Sequence, residues 1–123
     1  MKGILLVVLF SLMLSGCSTT GSVSNLQEKS MEIRPGVTKD EVVEILGMPG
    51  DRSFRGPAEA WQYCSTGFSQ DKYVTVWFLE DVVEGLTTYA RSDAFGTCAQ
   101  TFTSVDWGQA PDNLKMKLTI QDD

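Results

Sequence analysis

Histidine is absent from all 123 residues. That removes the commonest general base, the commonest metal ligand and every Ser-His or Cys-His nucleophile arrangement. Basic runs are absent too: 10 Lys and Arg are scattered among 16 Asp and Glu, for a formal net charge of -6. A nucleic-acid footprint needs clustered positive charge, and so does electrostatic clamping to anionic lipid. No nucleic-acid partner is expected. Cysteine is sparse, at three residues, and no C-x-x-C motif occurs, which argues against a redox pair or a zinc site. The expectation is no cofactor, no metal, no catalytic residue and no small-molecule substrate. No apolar run approaches the roughly 20 residues of a spanning helix. There is no internal repeat and no low-complexity segment.

What is present begins with Lys2 and an apolar run from Ile4 to Leu14. A basic residue, a short apolar stretch and small residues at a cut site make a secretory signal peptide over residues 1–16. The stretch ends Leu14-Ser15-Gly16-Cys17, which resembles the lipobox of bacterial lipoproteins. In such signals the cysteine takes a diacylglyceryl group on sulfur, becomes the new N-terminus and is acylated on nitrogen. Cys17 is therefore the expected lipid attachment. One acyl chain binds a membrane only marginally, whereas two or more hold it durably. In lipoproteins of this class an Asp after the cysteine favours inner-membrane retention, so Ser18 points to the outer membrane, facing the periplasm. The alternatives are a transmembrane anchor or a plain secreted chain with a spare thiol.

Removing residues 1–16 leaves about a hundred residues, the size of one domain. With Cys17 given to lipid, Cys64 and Cys98 remain as an even pair in an oxidising compartment. A disulfide is expected, worth roughly 4 kcal/mol in the chain-entropy model. Two buried thiols are the alternative.

Residues 17–24 are small and polar and read as a flexible tether. The domain spans 25–123. A short helix is expected over Asn25–Met31, capped by Ser24. The clearest local grammar lies at 33–49. Thr38 and Glu41 form a capping box, and Val37 with Val42 suits a hydrophobic staple. Gly47 and Pro49 end the helix, which is expected over residues 39–46. Ala60–Cys64, Tyr73–Leu79 and Val82–Tyr89 read as strands, with Asp51–Phe54 a short first strand or an extended lead-in. Thr101–Trp107 reads as extended. Leu114, Met116, Leu118 and Ile120 alternate with polar residues, which predicts a final edge strand. Trp107 is expected to pack on the cystine.

The run Ile33-Arg34-Pro35-Gly36-Val37-Thr38-Lys39-Asp40-Glu41-Val42-Val43 is followed by Leu46-Gly47-Met48-Pro49, Phe54, Trp61-Gln62-Tyr63 and Val76-Trp77-Phe78. Together these resemble the SmpA/OmlA (BamE-like) family of outer-membrane lipoproteins. The resemblance covers about residues 33–88. It implies an α+β fold, two short helices packed on a three-stranded antiparallel meander, shared with β-lactamase-inhibitor proteins. It also implies work in β-barrel assembly. Two features depart from the family: the Glu80-Asp81-Val82 turn lacks glycine, and the extension 91–123 has no counterpart. The Cys64–Cys98 pair would staple that extension to the second of the strands.

In the family, the stretch matching Trp61-Gln62-Tyr63 lies near surfaces for phosphatidylglycerol and partner contact. That makes Phe54, Trp61 and Tyr63 contact candidates. The plain alternative is that Trp61 and Tyr63, on one strand face, pack under the helix. Trp77, pointing opposite to Val76 and Phe78, is a further contact candidate. Three functions follow. One is a lipid-tethered, non-enzymatic interaction module with barrel-assembly subunits as partners. Another is an inhibitor-like module that plugs a periplasmic enzyme. The third is a carboxylate hydrolase built on Glu80, Asp81 and Glu84.

Overall fold

The computed structural model describes residues 22–92 and 97–121. The expected signal peptide over residues 1–16 and the expected lipid attachment at Cys17 lie outside the described residues. The fold is mixed α+β. Helices α1 (Leu26–Ser30) and α2 (Lys39–Leu46) precede strands β1 (Asp51–Arg55), β2 (Ala58–Ser65), β3 (Asp71–Leu79) and β4 (Val82–Arg91). Single-turn helices at Cys98–Gln100 and Trp107–Gln109 lead to α3 (Asp112–Gln121). The strands form one antiparallel sheet in the order β1-β2-β3-β4.

The sheet thus has four strands, not three. Asp51–Arg55 pairs with Ala58–Gln62 along its whole length, because the Gly56-Pro57 turn folds it straight back, with Gly56 at φ 55°.

The grammar of α2 is present atom by atom. The Thr38 hydroxyl accepts from the Glu41 amide at 3.3 Å, and the Glu41 carboxylate accepts from the Thr38 amide at 3.0 Å. Gly47 closes the helix at φ 80°, ψ -167°, a region open essentially to glycine alone. α1 differs from expectation. Its N-cap is Asn25 in the left-handed region (φ 58°, ψ 37°), not Ser24.

The β3–β4 turn does without glycine. Glu80 and Asp81 both hold positive φ, 50° and 71°, the pattern of a type I′ turn. The N-terminus of α2 braces it: the Lys39 amide donates to the Asp81 carbonyl at 3.3 Å, and Thr38 bridges to Val82.

Strand alternation sends residues to two covered faces. On one face Trp61, Tyr63, Val74, Val76, Phe78 and Val83 pack with Leu26, Val42 and Leu46 of α1 and α2. On the other, Ala58, Ala60, Trp77 and Leu79 pack with Ala110 and Leu114. Beside them Cys64, Tyr73 and Cys98 form a third cluster with Tyr89 and Phe102. Cys64 and Cys98 are disulfide-bonded, with Cα atoms 6.0 Å apart.

The C-terminal segment departs from the strand expectation. Residues 112–121 are helical, and 101–106 form neither strand nor helix. Leu114 and Leu118, four apart, face the sheet, while Met116 and Ile120 are exposed. An i, i+4 pair meets one surface on a helix; alternation by two was coincidental. Trp107 does not pack on the cystine. Its ring meets Trp77 edge-on at 5.4 Å, and the cystine packs with Tyr73 instead.

A bulge in β4 positions this layer. Trp77 pairs with Gly85 and Phe78 with Val83, leaving Glu84 as the extra residue. Its carboxylate accepts from Asn113 Nδ2 at 2.7 Å and Lys117 Nζ at 2.9 Å. Gly85 lets Pro111 approach, since a Cβ there would lie 2.8 Å from Pro111 Cγ.

Candidate functional site

The four contact candidates part company in the structure. Trp61 and Tyr63 are buried under α2. Tyr63 donates its hydroxyl to the Gly47 carbonyl at 2.8 Å, and burial pushes its phenol well above the usual tyrosine range. Trp77 is buried on the opposite face, its Nε1 donating to Thr87 Oγ1 at 2.7 Å. The reason it is not exposed is the C-terminal layer, which covers the second face of the sheet. Only Phe54 presents its ring to solvent, at 65% exposure.

Phe54 does not stand alone. β1 is an edge strand, and Arg52 and Phe54 project from the same side of it, opposite Trp61 and Glu59 of β2. The Arg52 guanidinium lies 5.3 Å from the Phe54 ring centre and 5.8 Å from that of Trp61, within the range of cation–π attraction.

Beneath this pair lies a carboxylate that sequence reasoning passed over. Glu59 is buried. Its Oε1 accepts from Arg52 Nε at 3.0 Å, Arg52 Nη2 at 2.8 Å and Trp61 Nε1 at 2.6 Å. Its Oε2 accepts from Lys39 Nζ, which also donates to Asp81 Oδ1 at 2.8 Å. Burial works to raise the Glu59 carboxyl, but hydrogen bonds from Lys39, Trp61 and Arg52 outweigh it and hold it below the usual carboxylate range. Burial works to lower Lys39, but its bonds to Asp81 and Glu59 outweigh that and hold it above the usual lysine range.

A carboxylate with both oxygens occupied by cationic and indole donors is an orienting group. It fixes the Arg52 fork and leaves the guanidinium–phenyl pair facing outward. Two sequence signals pointed here. Glu59 alternates with Trp61 and Tyr63 on an otherwise apolar face. Lys39 sits in the first turn of α2, where a positive charge opposes the helix dipole and calls for a compensating acid.

The acidic turn separates rather than converges. Asp81 pairs with Lys39 at the helix layer, while Glu84 pairs with Lys117 of the C-terminal layer. Comparison with family models, with curated proteins and with solved structures finds no match to this chain.

Proposed function

We propose that this chain is a lipid-anchored, non-enzymatic interaction module of the bacterial outer membrane, facing the periplasm. In this reading it supports envelope assembly as an SmpA/OmlA-like protein, with β-barrel-assembly subunits as its partner class. The observation that carries the reading is Leu14-Ser15-Gly16-Cys17 directly after the apolar run from Ile4. The anchor concentrates the domain near partners in the same membrane.

The Arg52–Phe54 flank is the surface offered to the partner. A guanidinium held over an aromatic ring suits a partner segment carrying a carboxylate or an aromatic side chain. The edge position of β1 leaves room for an extended segment beside it.

The test is a photo-crosslinker, p-benzoyl-phenylalanine, placed at position 54 in the full-length protein in its native membrane. Protein adducts that include barrel-assembly subunits, lost with Arg52→Glu, are the expected result. Absence of any protein adduct at 54 removes this surface from the proposal. Mass analysis of the mature N-terminus tests the anchor separately, and an unmodified Cys17 rejects it.

A further inference from the structure

The β2–β3 connection, residues 66–70, is exposed throughout and is tied to the fold at both ends. The Gly67 amide donates to Asp71 Oδ1 at 3.1 Å. A Cβ on Gly67 would lie 2.1 Å from the Gln70 carbonyl oxygen, so the turn closes this tightly only with glycine. Thr66 Oγ1 accepts from the Cys98 amide at 3.3 Å, and the Cys64–Cys98 bond pins the strand end just before the loop. At the tip stands Phe68, at 109% exposure. The turn holds a whole phenyl ring in water, where its burial against apolar material would be favourable.

The chain enters the domain beside this loop. The Val23 amide donates to the Cys64 carbonyl at 2.8 Å, and Ser22 bridges in parallel to Cys64. One crevice is lined by Asn25 and Gln27 from the start of α1 and by Ser65, Gly67 and Gln70 from the loop side. Cys17 is five residues from Ser22. A fully extended chain covers about 18 Å in that many steps.

We infer that Phe68 seats its ring at the headgroup–acyl boundary of the leaflet that holds the Cys17 anchor. The domain then meets the membrane with its cystine end. This rests on the anchoring reading above. A single ring is a weak membrane ligand in free solution. A short tether makes its insertion effectively intramolecular, so weak affinity suffices to set orientation. Insertion of an apolar ring needs no positive patch, which agrees with the acidic composition. Arg52 and Phe54 pair with Trp61 and Glu59 of β2, which lie about 13 and 20 Å from Ser65 along an extended strand. Seating Phe68 therefore turns that flank away from the bilayer and towards periplasmic partners.

The test places p-benzoyl-phenylalanine at position 68, and separately at 54, in the full-length protein in native membranes. Phospholipid adducts several-fold more abundant at 68 than at 54 are expected. Non-reducing mass analysis of the same samples verifies that the Cys64–Cys98 bond is intact. Protein adducts at 68 in place of lipid overturn the inference. So does an acylated Cys17 without lipid adducts at 68, which leaves the anchoring reading intact. An unacylated Cys17 overturns both.

Discussion

The two faces of the sheet are covered by layers of different character. The layer of α1 and α2 precedes the sheet in the chain and contains a helix with its own capping box, staple and terminator. It docks through apolar side chains, and the Lys39–Glu59–Arg52 network marks its edge. The layer from residue 97 to 121 follows the sheet and is irregular outside its helices. Two single helical turns lead to α3, which offers Leu114 and Leu118 to the core. It docks through a disulfide, the Trp77–Trp107 contact, the Glu84 clamp and Gln62. That glutamine is buried and donates to the Thr103 carbonyl at 2.7 Å while accepting from the Tyr89 hydroxyl at 2.5 Å. A layer with helical grammar is held by packing and charge. The C-terminal layer uses packing and charge as well and adds a covalent bond.

The sharpest way to break this contrast is to remove the bond. Cys64→Ser with Cys98→Ser is expected to cost about 4 kcal/mol in urea denaturation. Amide exchange should rise first across 97–121 and leave α2 protected. Equal loosening of both faces would show that the layers are not separately held.

The next effect belongs to the other face. Glu59→Ala is expected to cost about 3 kcal/mol, because it strands the Trp61 indole and leaves Lys39 and Arg52 without their buried acceptor. The pH dependence follows from the same network. Glu59 is held below its ordinary value of 4.5, so its contribution is present above that pH and fades as pH falls through the folded value. Lys39 is held above its ordinary 10.5, so its contribution is present below that pH and fades as pH rises through the folded value. Denaturation of the wild type should show a plateau between these limits, with the acid edge blunted in Glu59→Ala.

The smallest effect sharpens the boundary between the layers. Gly85→Ala is expected to cost about 1–2 kcal/mol by pushing its new methyl into Pro111. Hydrogen exchange should localise the change to residues 107–121.

Legibility in the sequence follows the same division. The bounds of α2 were readable because capping and termination are decided within a few residues of the helix end. The disulfide was foreseeable from cysteine arithmetic. β1 was visible as extended chain, but its place as a fourth strand depends on the hairpin at Gly56-Pro57 and on pairing with β2. Residues 114–121 alternate apolar and polar residues, and that pattern gives no sign of which face meets a core. Only Trp77, Ala60 and the other residues against which Leu114 lands select the helix.

The same holds for the contact candidates. Alternation correctly placed Trp61 and Tyr63 on one face and Trp77 on the other. It could not say that both faces would be covered, since the cover for Trp77 comes from about 30 residues further along the chain. From sequence alone come the limits of α2, the strands β2 to β4 and the pairing of two cysteines, because each depends on neighbours in the chain or on simple counting. Tertiary structure alone decided which aromatics reach solvent, that Glu59 is buried among cations, and that the last segment is a helix. Those outcomes depend on surfaces brought together from distant parts of the chain, and no local period encodes them.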